Sequence, residues 1–535
     1  ANVGTVTQKQ LEARTVYRPG ELLESAPGLV VSQHSGEGKA NQFYLRGFNL
    51  DHGTDLRTTV DGMLVNQRSH AHGQGWTDLN FIVPELATGL QYRKGPYYAS
   101  EGDFSSAGSV SLSYADALPR GIASVGLGGN GYRRALIANS NATGSGNVLY
   151  ALEVLHNDGP FVHPDDYGKV NGVLRYSQGD GANGFNVSGM LYRAKWNATD
   201  QIAQRAIDSG LISGRFDAID PSDGGSAHRY SLSTEWHRNT ESSSTRINAY
   251  VIGWQLKLFS NFTYFLDDPV NGDQFHQPDK RTTGAVNASH TFRMPFAGLE
   301  SETTVGLQAQ NDNVFNGLYK ARARQILSTT RADHMTEGSI GIYAENATRW
   351  TDWFRTVAGA RLDSYHFDVK SDNAANSGTA SDRIANPKLS LIFGPWAKTE
   401  YYVNVGGGFH SNDARGSSVT VGRFGSHDGI EDKPPTSTSV RCDAGRLGAL
   451  VVVPSGSNDD DVAFKIVMGF GRPLEECVAP SYGKGCIVAR RELRFLPHAA
   501  VTVPVVMRAS CDGIACGEAQ TCVRGSCRDA TIRDP

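Results

Sequence analysis

Residues 66–81 read NQRSHAHGQGWTDLNF, and His70 and His72 stand one residue apart among glycines and small polar side chains. Alternate residues of extended backbone face the same way, so both imidazoles can address one ligand. Imidazole suits zinc, copper or nickel. Asp51 and His52 in NLDHGTD, with Glu101 and Asp103 in SEGDFS, add further nitrogen and carboxylate oxygen, a donor mix that fits a metal or a metal chelate. Such a set can ligate a metal directly, touch a metal-bearing substrate, or simply sit in a solvated loop with its histidines hydrogen-bonded to backbone. The choice depends on the elements that hold the loop.

Other chemistries find no support. GLGGNG (126–131) has the glycine spacing of a dinucleotide site, but YRRALIANSN follows it with alternation rather than helical period. A glycine-rich hairpin turn explains it better. There is no GxxxxGK[ST], HExxH or GxSxG. SHDG (426–429) places Ser, His and Asp side by side, whereas a triad needs convergence in space. The chain is not expected to be an enzyme, and no cofactor is required. With a net charge of −4, nothing argues for nucleic acid.

The positioning elements read as mainly β. Sixty glycines with 20 Tyr and 22 Phe suit many short strands and tight turns. No run of 18 apolar residues exists, so a membrane could be crossed only by a closing β-barrel. Residues 1–118 form a small α/β piece. Pro19 starts a short helix carrying Leu22 and Leu23, Pro27-Gly28 stops it, and Asp61-Gly62 turns a hairpin. Over 119–415, HRYSLSTEWHR puts Tyr230, Leu232 and Trp236 on one face and Ser231, Ser233 and Glu235 on the other. Roughly a dozen such segments alternate in this way, as membrane strands do, though a soluble antiparallel protein can do the same. FLDDPVNGDQFHQPDKRTTG (265–284) reads as a long polar loop.

After residue 415 the composition changes. Residues 416–441 read as a linker, and 442–535 as a separate small β-domain that holds all seven cysteines. LGALVVVPSG, VAFKIVMGFG, KGCIVARREL and HAAVTVPVVMRAS read as its strands. Cys511, Cys516, Cys522 and Cys527 lack the knuckle spacing of a zinc ribbon and suit two disulfides, with three connectivities open. Cys477 and Cys486 bracket a glycine-containing loop and suit a third, which leaves Cys442 over.

Residues 1–118 resemble the plug domain of TonB-dependent outer-membrane receptors. The carrying motifs are Glu21-Leu22-Leu23 through Pro27-Gly28-Leu29, Tyr44-Leu45-Arg46-Gly47-Phe48, Val60-Asp61-Gly62, Tyr92-Arg93-Lys94-Gly95-Pro96 and Gly102 to Gly108, in the family's order. Residues 121–415 look like the first part of that family's barrel, and GGGFHSNDARG (406–416) resembles one of its lumen-side stretches. The resemblance implies a plug inside an antiparallel transmembrane β-barrel in the outer membrane of a Gram-negative bacterium. It implies import of a scarce nutrient, most readily a metal-siderophore chelate or a metal ion. A TonB-type inner-membrane complex and outer-membrane lipid would be the partners. The energy-coupling box is not visible, and the barrel text stops short of the family's strand count, so the barrel is expected to be incomplete and joined near residue 416 to an unrelated domain. The alternative is a cell-envelope binding or adhesion protein whose disulfide domain carries the activity.

The resemblance also places the candidates. The segment after Val60-Asp61-Gly62 would climb to the plug apex, with His70 and His72 at the vestibule where substrate docks. Asp51, His52, Glu101 and Asp103 would lie in neighbouring apex loops, and His410, Asp413 and Arg415 would add lumen contacts. Arg46 and Arg93 would be plug arginines paired with carboxylates, holding the plug in a polar lumen.

Overall fold

The structure is a computed structural model that describes residues 2–33, 37–295, 298–372, 376–411, 417–422, 437–439, 461–469, 477, 482–494, 503 and 505–532. The chain forms two compact units, residues 1–369 with 378–411, and residues 370–377 with 412–535.

The first unit begins with strands β1 (Val3–Thr7), β2 (Leu29–Ser32), β3 (Gln42–Leu45), β4 (Phe48–Asn49), β5 (Leu56–Val60), β6 (Met63–Leu64), β7 (Ala87–Lys94) and β8 (Gly108–Tyr114), with helix α1 (Gln8–Glu12) after β1. One sheet runs β1-β7-β8-β5-β6 and another β2-β3-β4. The expected helix at Pro19 is a 3-10 turn, Pro19–Ser25, that buries Leu22 and Leu23 completely. Asp61 and Gly62 both adopt positive φ, 48° and 76°, as the two-residue hairpin between β5 and β6 demands. Phe43, Leu56, Val60, Leu90 and Leu112 pack with these leucines into one core.

Then come β9 (Ile122–Leu127), β10 (Arg133–Thr143), β11 (Gly146–Asn157), β12 (Tyr167–Gly179), β13 (Asn183–Asn197), β14 (Gly224–Asn239), β15 (Ser243–Ser260), β16 (Phe275–Arg293), β17 (Ser301–Arg322), β18 (Gln325–Thr351), β19 (Phe354–Ser371), β20 (Gly378–Trp396) and β21 (Thr399–Gly406). They form one 13-stranded sheet in which sequence neighbours are spatial neighbours. From β10 to β16 the connections alternate between tight turns and long loops, whereas β17 and β18 are joined on the loop side by two residues. Residues 144–145 and 180–182 are turns, whereas 158–166, 198–223 (with helix α2, Gln204–Asp208) and 261–274 are loops on the other side. GLGGNG lies at the β9–β10 turn, where Asn130 and Gly131 take positive φ.

The exposure of alternate residues separates the membrane reading from the soluble one. On β14, Tyr230 and Leu232 are 52% and 54% exposed, whereas Ser231 and Ser233 are 8% and 3% exposed. Apolar side chains face outward and polar ones inward, the reverse of a water-soluble sheet. The inward face wraps the N-terminal domain: β10 reaches it through Arg134 to Glu85, β12 through Arg175 to Asp61, β17 through Asp312 to Arg68 and β20 through Lys388 to the Pro96 carbonyl. β9 and β21 are the sheet's unpaired edges among the described residues, so the barrel is not closed. No described helix is long and apolar enough to cross a membrane, which leaves the strands to do so.

One segment departs from expectation. Residues 275–284, read as loop, belong to β16. Asp279, Arg281 and Thr283 alternate into the polar interior, and a strand whose buried face is polar looks like a loop to a hydropathy reading.

In the second unit, β22 (Ser417–Gly422), β23 (Ser437–Ser439), β24 (Asp461–Gly469) and β25 (Cys486–Arg494) form a sheet in the order β23-β22-β24-β25. The stretch read as a linker, 416–441, therefore contributes two strands, consistent with the Val/Thr alternation of SSVTVG. Disulfides join Cys477 to Cys486, Cys511 to Cys522 and Cys516 to Cys527, the last two clasping the hairpin β26 (Gln520–Val523)–β27 (Ser526–Asp529). In HAAVTVPVVMRAS, read as a strand, the described residues 505–508 are coil and Ala509–Cys511 is a 3-10 turn. Cys442 and LGALVVVPSG lie outside the described residues.

Candidate functional site: the plug apex and its seam with the wall

The quoted loop lies against the inner wall of the sheet. Arg68, two residues before His70, is its anchor. Its guanidinium donates from Nε to Asp103 Oδ2 at 3.1 Å, from Nη1 to Asp312 Oδ2 on β17 at 3.3 Å and from Nη2 to Ser339 Oγ on β18 at 2.6 Å. Its cationic centre lies 5.2 Å from the Tyr365 ring centroid. Burial alone would favour the neutral form, but Asp312 and Asp103 beside it raise the Arg68 pKa instead.

The loop then makes a ladder of polar contacts with the wall. Ser69 Oγ donates to Glu337, and Arg281 donates to the Ser69 carbonyl while pairing with Asp279 at 2.6 Å. The Ala71 N–H donates to Asp279 Oδ2 at 3.3 Å, and Gln277 Nε2 donates to the Ala71 carbonyl at 2.8 Å. These partners are charged or polar, so each contact is strong in a dry seam and water can replace it.

The histidines sit inside this seam. His70 stacks on Trp76 with centroids 4.6 Å apart, His52 and His72 meet the same indole at 4.9 and 5.2 Å, and His52 lies 5.0 Å from His72. His70 Nδ1 accepts from the His72 N–H at 3.1 Å, and His72 Nδ1 lies 3.0 Å from Gln277 Oε1. His52 Nδ1 faces the Asn41 carbonyl at 3.3 Å. A metal bound through the Nδ1 atoms of this cluster would have to displace those contacts. Asp51 is exposed beside them.

The second group converges next to the first. Asp103, besides holding Arg68, accepts from Ser411 N and Oγ, each at 2.7 Å, and Gln74 donates to the Ser411 carbonyl. His410 pairs with Asp55 at 2.9 Å. Burial opposes the charged form of both; their mutual hydrogen bond prevails, raising the His410 pKa and lowering that of Asp55. Glu101 pairs with Arg93 at 2.8 Å and lies 3.7 Å from Arg57. A Cβ on Gly102 would sit 2.5 Å from the Arg361 guanidinium, so the glycine lets the loop between Glu101 and Asp103 pass β19 without displacing that side chain. Loops 51–55, 70–76 and 101–106 and the segment 409–411 thus meet at one end of the plug.

Arg46 is a correction. It occupies the first position of the two-residue turn between β3 and β4, where it and Gly47 take φ of 53° and 87°. The turn points it to solvent, where it donates to Asn2 Oδ1 at 2.8 Å and pairs with no carboxylate among the described residues. The buried arginine of the plug is Arg68, which the sequence reading passed over. Asp413 and Arg415 lie outside the described residues. The sequence reading also missed the wall partners Asp279, Arg281, Asp312 and Glu337; the period-2 spacing of Asp279 and Arg281 in β16 was the available signal, and Asp312 on β17 and Glu337 on β18 offered none. His156, Asp158 and Asp166, at the β11–β12 loop, are the group of three potential metal ligands that come within 4.8 Å of one another among the described residues.

Comparison with known proteins agrees with this architecture. The family model for the TonB-dependent Receptor Plug Domain matches residues 1–109, and that for the TonB dependent receptor-like beta-barrel matches residues 153–440, more than half of the chain. The chain belongs to the TonB-dependent receptor family. Vitamin B12 transporter BtuB of Vibrio vulnificus (strain CMCP6) is 24% identical to the receptor over 151 residues, 28% of this chain and 24% of that one. The match thus spans about a quarter of the length of that curated relative. The unliganded ferric citrate transporter FecA superposes with a TM-score of 0.64 at 12% identity, over 92% of the receptor and 78% of FecA. Copper transporter OprC gives 0.59 at 13% identity, covering 87% and 69% of the two chains. The ferric yersiniabactin uptake receptor FyuA from Yersinia pestis gives 0.57 at 13%, again covering 87% and 69%. At these identities the likeness is one of fold. All of these proteins are receptors or transporters by name, which does not favour the envelope-adhesion alternative.

Proposed function

We propose that this receptor imports a scarce, metal-bearing nutrient, a metal chelate in preference to a bare ion, across the outer membrane. Substrate would dock where loops 51–55, 70–76 and 101–106 meet, and a TonB-type inner-membrane complex would supply the energy that moves the plug. The observation that carries this reading is the seam. The plug is tied to the wall by Arg68, Ser69 and Ala71 through hydrogen bonds to Asp312, Ser339, Glu337 and Asp279. Such a seam holds at rest and yields when water enters. The cargoes named for FecA, OprC, FyuA and BtuB are all metal-bearing, which supports the substrate class. The complete burial of His70 under Trp76, together with the engaged Nδ1 atoms of His70 and His72, favours a chelate, read from outside by Asp51 and His410, over direct ligation.

The test is a staple across the seam. Ser69→Cys with Glu337→Cys places two thiols where a hydrogen bond now stands. A deletion strain carrying this variant would be assayed for uptake of radiolabelled ferric citrate, copper and cobalamin. Uptake of at least one by the wild type, its loss in the oxidised variant and its return on reduction are expected. Unchanged uptake by the oxidised variant would sink plug movement, and no uptake of any probe by the wild type would sink the metal-bearing substrate.

A further inference from the structure

Away from the apex, the described residues bring metal-ligand atoms together at the end of the hairpin β11–β12. His156 is the second-last residue of β11, Asp158 opens the following loop, and Asp166 closes it just before β12. The last rung of the ladder sets Asn157 opposite Tyr167, so the two aspartates flank the place where the strands part. His156 Nε2 lies 3.0 Å from Asp158 Oδ1, and its Nδ1 lies 3.7 Å from Asp166 Oδ1. One ligand atom from each residue lies within 4.8 Å of the other two.

The backbone holds this set in place. The Asp158 N–H donates to the Asn130 carbonyl and the Asp158 carbonyl accepts from the Asp165 N–H, each at 2.9 Å. The Asp158 carboxylate packs on Gly131 of the β9–β10 turn, where any side chain would collide with it. Gly168 stands directly opposite His156, and a Cβ there would meet only Lys195, at 3.9 Å, so space is open beside the ring. As a purely ionic cluster the set is poorly matched. A separation of 3.7 Å is too long for a hydrogen bond from the ring to Asp166. The cation that Asp166 does have, Lys195 at 3.3 Å, is 72% exposed, and such a pairing contributes little. A tetrahedral ion with bonds of about 2.0–2.2 Å holds its ligand atoms roughly 3.4 Å apart. His156 and Asp158 are already that close, and a side-chain rotation at the exposed Asp166 completes the set.

We infer that His156, Asp158 and Asp166 form a binding site for a zinc-class divalent ion, with one imidazole and two carboxylates as ligands and water in the fourth position. Imidazole selects zinc, copper or nickel over calcium and magnesium. The site goes beyond the import reading, because this ion is resident rather than cargo and its ligands lie outside the apex loops. The residues between the ligands grip the plug. Asn157 Nδ2 donates to Glu37 Oε1 at 3.1 Å, and Asp165 Oδ2 accepts from the Glu37 N–H at 3.3 Å. A filled site therefore steadies the loop that holds Glu37.

The experiment uses the full chain in detergent, purified without a polyhistidine tag and stripped with EDTA. Zinc chloride and calcium chloride are titrated calorimetrically into wild type, His156→Ala, Asp166→Asn and His70→Ala/His72→Ala. Wild type should bind one equivalent of zinc more than His156→Ala and should prefer zinc to calcium by about tenfold or more. Asp166→Asn should weaken zinc binding by about tenfold or more. Asparagine tolerates the left-handed backbone at this position, φ 43°, so the loss there reports the carboxylate. His70→Ala/His72→Ala should keep the site. Equal zinc binding by wild type and Asp166→Asn, equal affinity for zinc and calcium, or loss of the zinc in His70→Ala/His72→Ala overturns the inference. Heat-modifiable migration on gels shows whether each variant is folded; should His156→Ala not be, Asp166→Asn decides. The titration needs no uptake, so the import reading can fail while the site stands.

Discussion

The two compact units hold themselves together in opposite ways. The first has no cysteine, and its plug is fastened by buried charges such as Arg68 between Asp103 and Asp312. The second is fastened by three disulfides, two of them clasping one hairpin. A buried ion pair breaks when either partner is rehydrated, whereas a disulfide needs a reductant. The difference separates two kinds of hold: fastenings that water can replace surround the plug, and covalent ones lie in the cysteine-bearing unit.

Removing one fastening of each kind should separate the two. Arg68→Ala strands two carboxylates in a dry seam, at a cost of about 3–5 kcal/mol to the plug. The guanidinium unfolding midpoint followed by Trp76 fluorescence should fall, and Arg68→Ala/Asp312→Ala should recover part of the loss. Equal losses in single and double variants would show that the pair is not the fastening. Cys511→Ser with Cys522→Ser should cost the second unit about 3 kcal/mol, seen as proteolysis after residue 411, with the Trp76 transition unmoved. A shift of both transitions would erase the comparison.

The sequence made the fastened elements legible and their fastenings illegible. Leu22-Leu23 and the Asp61-Gly62 hairpin are local signals, and the structure keeps both. The alternation of Tyr230, Leu232 and Trp236 was equally local, although only the observed outward exposure separated a membrane wall from a soluble sheet. The seam is different in kind. Arg68 and Asp312 are 244 residues apart, and no local pattern ties them. Residues 275–284 looked like loop because a wall that faces a polar lumen carries its polar residues where a core would be apolar. The apex loops were placed together by resemblance, but the role of Arg68 beside His70 needed coordinates.

A smaller effect sharpens the view of the seam as a charged, dry layer. Burial pushes the Asp78 carboxyl up to about 6, with its Asn80 hydrogen bonds, Lys169 and Arg229 only partly offsetting the shift. An acid whose folded pKa is raised holds its proton more tightly when folded, so plug stability falls as pH rises from about 4 through 6. Asp78→Asn fixes the neutral form. It should stabilise the plug by about 3 kcal/mol at pH 7.5 and leave it nearly unchanged near pH 4. A gain of equal size at both pH values would assign the effect to packing rather than charge.

The weakest fastening is the pair His410–Asp55, which ties the segment after β21 to the plug. Its partners shift in opposite directions, His410 upward and Asp55 downward, each against the pull of burial. The histidine's contribution is complete below its ordinary value of 6.5 and fades as pH rises through the raised one. The aspartate's is complete above its ordinary value of 3.8 and fades as pH falls through the lowered one. The tie is therefore strongest between those ordinary values and weakens in mild alkali. Asp103 also acts on His410, but it is committed to Arg68 and Ser411. Amide hydrogen exchange of residues 407–411 should quicken between pH 6 and pH 9 beyond the intrinsic rate, by an amount equivalent to about 1 kcal/mol, and His410→Gln should abolish that excess. If the excess survives in His410→Gln, the segment is held by Asp103 and Gln74 alone, and the ionic fastening of the plug ends at Arg68.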